Sequence, residues 1–122
     1  MQKLKTKTVS KVGIKFDTNK SEKPSISLIP TKPLFEIARV LDFGKNKYAA
    51  HNWRNGIDSS RLTDAALRHI LLDNEGTTTD DESGFLHLAH AACMILFALE
   101  QRIRSESYKD FDDRYDATQL KD

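Results

Sequence analysis

Cysteine is nearly absent. Cys93 is the one thiol in 122 residues, so no disulfide can form within a chain. That excludes a disulfide-stapled secreted scaffold and fits a reducing compartment. Cys93 lies within an apolar stretch and reads as a small buried hydrophobe rather than a nucleophile. Proline is confined to Pro24, Pro30 and Pro33, so nothing after Pro33 breaks a helix by its ring. The five glycines form no phosphate-cradling loop, and neither a nucleophile elbow nor an HExxH motif is present. Net charge is only +1, which gives no global electrostatic case for nucleic acid or a membrane surface as partner. The longest apolar run, Leu86 to Leu99, is too short to span a bilayer and is interrupted by two histidines. The N-terminus carries lysines but no apolar segment of a secretory signal. The expectation is a soluble cytoplasmic protein.

Charged residues make up 30% of the chain and hydrophobic residues 39%, which suits one domain with a modest core. The charge is sorted by position. Lys3, Lys5, Lys7, Lys11, Lys15, Lys20 and Lys23 crowd the beginning; Glu106, Asp110, Asp112, Asp113, Asp116 and Asp122 crowd the end. Two solvated tails are the simpler reading, with a nucleic-acid arm as the other. Residues 1–30 lack helical periodicity and read as an extended arm, with loose alternation over Thr8–Phe16 allowing a short strand. Residues 31–104 read as a helical domain, and 105–122 as an acidic tail with room for a short helix.

Within the helical domain, Thr31 can cap a first helix with Pro33 in its first turn. Leu34, Ile37, Ala38 and Leu41 repeat at helical spacing, and Gly44 is a plausible stop. Lys45–Gly56 reads as a loop or broken helix. A second helix starts at Ser59 or Ser60 and carries the stripe Leu62, Ala65, Ala66, His69, Ile70 and Leu72, with Asp64 and Arg68 as an i, i+4 pair on another side. After a polar loop over Asn74–Asp81, a third helix is expected from Glu82-Ser83 to about Arg104. It is apolar nearly all round and should be the central helix. Two neighbours in a monomer cannot cover such a helix, so a homodimer or homotetramer is expected. The fold class is all-α, a small helical bundle.

Three of the four histidines fall close together: His69, then His87 and His90, with Asp80-Asp81-Glu82-Ser83-Gly84 between. His87 and His90 share a helical face. Buried imidazoles need hydrogen bonds, a carboxylate or a metal. Nitrogen with oxygen ligands suits Mn, Zn, Fe or Ni; carboxylates alone would suit Mg. The plainer alternative is that these histidines only close the core. A second group is Lys45, Lys47, Tyr48, Asn52, Trp53 and Arg54. The cations are phosphate-type donors, the aromatics can stack on a base, and Asn52 can read a purine edge. Here the alternative is an exposed loop pinned by Trp53. Glu36 is either an exposed charge or an inward carboxylate.

Several segments resemble a family of small phage dATP/dGTP diphosphohydrolases (MazZ-type), relatives of the MazG-like nucleotide pyrophosphohydrolases. They are Gly13–Asp17, Lys23-Pro24, Leu28–Pro30, Phe43–Tyr48, Asn52–Gly56, Arg68-His69, Asp80–Gly84 and His87–Ala91, in order over roughly residues 13–103. The resemblance implies an oligomeric, MazG-like helical bundle. It implies cleavage of a purine deoxynucleoside triphosphate to monophosphate and pyrophosphate, with Mg or Mn. On that basis Glu36, Glu82, His87 and His90 are the expected metal ligands. Asp64, His69 and Asp80 stand as catalytic or supporting groups. Lys45, Lys47, Arg54 and Arg68 are expected to hold phosphates, and Tyr48, Asn52 and Trp53 to contact the purine. The chain departs from MazG-like enzymes in lacking their ExxE and ExxD motifs; His87-Leu88-Ala89-His90 stands in the place of the second. Two rival classes remain: a non-catalytic module that sequesters a nucleotide, and a structural helical protein with core histidines.

Overall fold

The computed structural model describes Gly13 and residues 23–120. The strand or arm expected over Thr8–Phe16 lies outside them except for Gly13. Three helices carry the fold: α1 (Thr31–Lys47), α2 (Ser59–Asn74) and α3 (His87–Ile103). Short 3-10 turns lie at Ile26–Leu28, Asn52–Asn55, Lys109–Phe111 and Ala117–Gln119. Among the described residues there is no strand, only an isolated antiparallel bridge between Thr79 and Leu86. The class is all-α.

Thr31 is the first residue of α1 rather than its cap; extended Pro30 precedes it, and no side chain caps the helix. Pro33 sits in the first turn, where a missing N–H removes no helical bond. Gly44 does not end α1. Its carbonyl accepts the Tyr48 N–H at 2.8 Å, so the helix runs one turn further. Serine marks the start of α2 as expected.

The third helix begins later than its sequence suggests. Residues 80–84 form a tight turn: the Gly84 N–H donates to the Asp80 carbonyl at 2.7 Å, and the Ser83 N–H donates to the Asp80 carboxylate at 2.9 Å. Gly84 has φ +77°, a left-handed conformation that glycine adopts without strain. The Asp80 N–H then returns to Phe85 O at 2.8 Å, and the His87 N–H to Thr78 O at 2.9 Å. Helical bonding starts only at His87, and Glu82 belongs to the turn.

Helix α3 is central. Both α1 and α2 run antiparallel to it. Along α1, the Ile37 carbonyl meets the Cys93 thiol at 3.6 Å and Phe43 meets Phe85 edge to face at 6.1 Å. Along α2, Ser59 meets Arg102 at 3.2 Å and His69 meets His87. Val40, Ala89 and Cys93 form the buried core, with Ile37, Phe85 and Met94 packed on it. Leu62, Ala66 and Ala91 are buried as well. Cys93 is fully buried, and burial pushes its thiol up to about 11, so it is unreactive at neutral pH. Two helices cover only part of the α3 circumference. Leu88, Ile95, Leu96, Leu99 and Ile103 remain exposed along it.

The end of α3 holds the start of α2. The buried Gln101 amide donates to Ile57 O and accepts from Ile57 N–H, both at 2.9 Å, as a neighbouring strand would. Residues after α3 fold back here. Tyr108 donates to Arg54 O at 3.2 Å, and Asp113 accepts from both the N–H and the hydroxyl of Ser60. A carboxylate at that position satisfies otherwise unpaired N–H groups and complements the helix dipole. Gly56, at φ +93°, lies flat against the Phe111 ring, and a Cβ there would overlap it.

Candidate active site

The histidines meet where the last turns of α2 cross the first turn of α3. His69 Nδ1 and His87 Nδ1 are 2.8 Å apart. The His69 and His90 rings stack, with centroids 4.7 Å apart and planes 11° apart. The i, i+3 spacing on α3 turns His87 and His90 toward α2 together. The turn at 80–84 brings the carboxylate. Donor atoms of His69, Asp80 and His87 all lie within 4.8 Å of one another, a spacing that a single metal ion can bridge.

His90 joins the same assembly through Ser83. The Ser83 hydroxyl lies 2.7 Å from His90 Nε2 and 2.9 Å from Asp80 Oδ2. An ionised carboxylate only accepts. The Ser83 hydroxyl therefore donates to Asp80, and its oxygen accepts from a His90 Nε2–H. His90 Nε2 is also 3.9 Å from Asp80 Oδ2. Burial raises the Asp80 carboxyl, but the Ser83 hydrogen bonds and the nearby histidines outweigh it and hold the group below its usual range. Burial lowers His69, and the His90 and His87 rings lower it further. Burial likewise lowers His90 against the opposing pull of Asp80. Burial thus favours the unprotonated form of His69 and His90, and hydrogen bonding favours the ionised form of Asp80, the forms that bind metals.

The other expected site residues are placed as follows. Lys47 reaches from the end of α1 to pair with Glu82 at 3.2 Å, and both charges act on His90. That pairing raises the Lys47 ammonium. Tyr48 is exposed, with the Lys47 ammonium 5.6 Å from its ring. Lys45 is exposed and pairs with Asp42 at 3.6 Å. Glu36 pairs with Arg39 at 2.8 Å and lies beside the Ile37–Cys93 contact, further along α3 from the histidines. Asp64 and Arg68 are exposed on α2, and no ion pair joins them among the described residues. Trp53 stacks on Phe97 at 6.1 Å, with the Arg54 guanidinium 5.6 Å from the indole. Asn52 accepts from Asn55 at 3.4 Å. Phe97 lies seven residues past His90, about 10 Å along the helix at 1.5 Å per residue. The structure therefore gathers His69, Asp80, His87, His90, Glu82 and Lys47 at one end of α3, and sets Trp53 and Arg54 two turns away. Ser83 was not among the expected site residues. Its signal was the Asp-x-x-Ser-Gly turn pattern, which points a serine back at the aspartate.

The family model for the N-terminal region of dATP/dGTP diphosphohydrolases matches residues 15–114. A dATP/dGTP diphosphohydrolase of Salmonella phage PMBT28 is 44% identical over 85 residues, which is 70% of this chain and 28% of that relative. The chain thus spans under a third of the length of the curated relative it matches. No solved structure matches it. The histidine–aspartate assembly falls within the matched region, and the chain belongs to the dATP/dGTP diphosphohydrolase N-terminal family.

Proposed function

We propose that this chain takes part in metal-assisted cleavage of purine deoxynucleoside triphosphates, dATP or dGTP, to monophosphate and pyrophosphate. One observation carries the reading: two imidazoles and a carboxylate converge within 4.8 Å beside a lysine, in a chain whose relative is named for that activity. The donor set fits a divalent ion. Two nitrogens and one oxygen are offered; burial favours unprotonated His69, and the Ser83 hydrogen bonds favour ionised Asp80. The expected ions are Mg or Mn. Such an ion, when bound, neutralises phosphate charge and activates water.

The chain's own groups have distinct parts in this reading. Lys47, beside the cluster, exchanges Glu82 for a phosphate oxygen. Lys45 and Arg68 are further cations at the same end, and Arg54 lies with Trp53. Water adds at phosphorus, the bond to the leaving pyrophosphate breaks, and the water's proton passes to a basic group nearby. His87 lies within the donor group, and Glu82 would leave its ion pair with Lys47 to join it, whereas Glu36 stays paired with Arg39 further along α3. Tyr48, Asn52 and Trp53 remain the proposed purine contacts. A thermal-shift plate of dNTPs with and without Mn tests the reading, because a ligand that binds the folded state raises the melting temperature. Stabilisation by dATP and dGTP supports it. Stabilisation without any product identifies a sequestering module, and no response leaves a structural protein.

A homo-oligomer is part of the proposal. Leu88, Ile95 and Leu99 are exposed at seven- and four-residue spacing, with Leu96 and Ile103 beside them. This stripe runs the length of α3, and a second copy related by a twofold axis would cover it with its own. Light scattering at micromolar concentration tests this; the 13.9 kDa monomer mass would oppose it.

A further inference from the structure

We propose that His69, Asp80 and His87 form a site selective for a divalent transition metal over Mg, with His90 as a positioning residue that acts through Ser83. The proposal rests on the metal-assisted reading above and adds the ligand atoms and the class of ion. It is carried by geometry. His69 Nδ1 and His87 Nδ1 stand 2.8 Å apart. Without a metal, one ring must donate its proton to the other. With metal–nitrogen bonds of about 2.0–2.1 Å, neighbouring ligands stand roughly 3 Å apart. The two nitrogens therefore already hold the spacing of a ligand pair, and an ion would replace the shared proton.

Asp80 completes the set. Its Oδ2 accepts both the Ser83 N–H and the Ser83 hydroxyl at 2.9 Å. Its Oδ1 takes no hydrogen bond among the described residues, leaving that oxygen for an ion. His87 is buried, with 3% of its surface exposed, and its backbone is tied to Thr78, so its ring is held in place. The set is two nitrogens and one oxygen. Imidazole suits Mn, Fe, Zn and similar ions, whereas Mg prefers oxygen ligands and keeps its waters.

His90 has a different part. Its Nε2–H donates to Ser83 Oγ, so that nitrogen is not offered to an ion. It holds Ser83, and Ser83 holds Asp80. Loss of such supporting hydrogen bonds typically weakens metal binding about 10–100-fold.

The test uses the full chain and metal chlorides alone. Calorimetry should show one Mn or Zn per chain, with Mg at least tenfold weaker. Pulsed electron paramagnetic resonance of the Mn-loaded chain should show coupling to imidazole nitrogen. Asp80→Asn keeps the acceptor for Ser83 and removes the charge; it should weaken Mn about tenfold or more, with an unchanged circular-dichroism spectrum. His69→Gln should remove the nitrogen coupling from one ring. His90→Ala should weaken Mn, and His90→Gln, which restores an N–H donor toward Ser83, should recover it. Mg binding as tight as Mn, Mn without nitrogen coupling, or wild-type Mn affinity in folded Asp80→Asn would overturn the site. Failure of His90→Gln to recover affinity lost in His90→Ala would overturn the positioning role. Metal bound with no dNTP cleavage sinks the hydrolytic reading and leaves this site standing; cleavage in Mg with no nitrogen coupling does the reverse.

Discussion

Replacing Gln101 with leucine should loosen the whole start of α2. The Gln101 side chain is 4% exposed and makes two hydrogen bonds, both at 2.9 Å and both to the backbone of Ile57. Leucine fills similar space without either partner. Ile57 N–H and C=O then lose their only partners among the described residues while half-buried. An unsatisfied buried polar group costs about 1–3 kcal/mol. Partial access of water to Ile57 places each loss near the lower end, giving a total of about 2 kcal/mol, a factor of roughly 30 in the folding equilibrium. For a domain of this size that corresponds to a fall in melting temperature of roughly 8–12 °C. Urea denaturation followed by circular dichroism measures the free energy, and hydrogen exchange at the Ile57 amide reads the local effect. Gln101→Leu within about 0.5 kcal/mol of wild type would show that the contact does not hold the segment, and the clamp argument would be wrong.

Other outcomes follow from the same geometry. His87→Ala should abolish metal-dependent activity, and His90→Ala should lower it at limiting Mn; folded variants with wild-type turnover under those conditions would make both residues simple core histidines. Stability without added metal should fall as the pH drops below 6.5, the ordinary histidine value, toward the lowered values of His69 and His90. In that window the unfolded chain binds more protons than the folded one, so acid favours unfolding; urea midpoints unchanged between pH 7.5 and 5.5 would contradict this. Trp53→Ala should cost about 2 kcal/mol, roughly half the core value for an aromatic, because the indole is half-buried on Phe97. Saturable quenching of Trp53 by dGTP would place the purine there as well; calorimetric binding with silent fluorescence would place it elsewhere.

Much of the frame was legible because it is local. Leu62, Ala65, Ala66 and His69 recur at helical spacing after Ser59, and α2 starts there. The central position of α3 followed from its apolar content. Its starting residue did not, because helical periodicity cannot see a turn closed by the Asp80 carboxylate and Gly84. Gly44 misled for the opposite reason: glycine permits a stop without requiring one. The clustering of His69 with His87 and His90 was readable from two facing helical stripes. Ser83 as the link to Asp80 was legible only in the Asp-x-x-Ser-Gly turn pattern, which helical spacing does not register. Gln101 meeting Ile57 and Asp113 meeting Ser60 join residues 44 and 53 positions apart, and no local pattern encodes such partners. The exposed loop around Trp53 carried two readings in the sequence, and the Phe97 stack supplies a structural reason for the tryptophan without addressing nucleotide.

The most direct test of the central claim is phosphorus nuclear magnetic resonance of dGTP incubated with the purified chain and Mn. The account predicts loss of the three triphosphate signals and growth of two, dGMP and pyrophosphate, with the rate lost in Asp80→Asn. An unchanged dGTP spectrum at high protein concentration, or products dGDP and free phosphate, would contradict it.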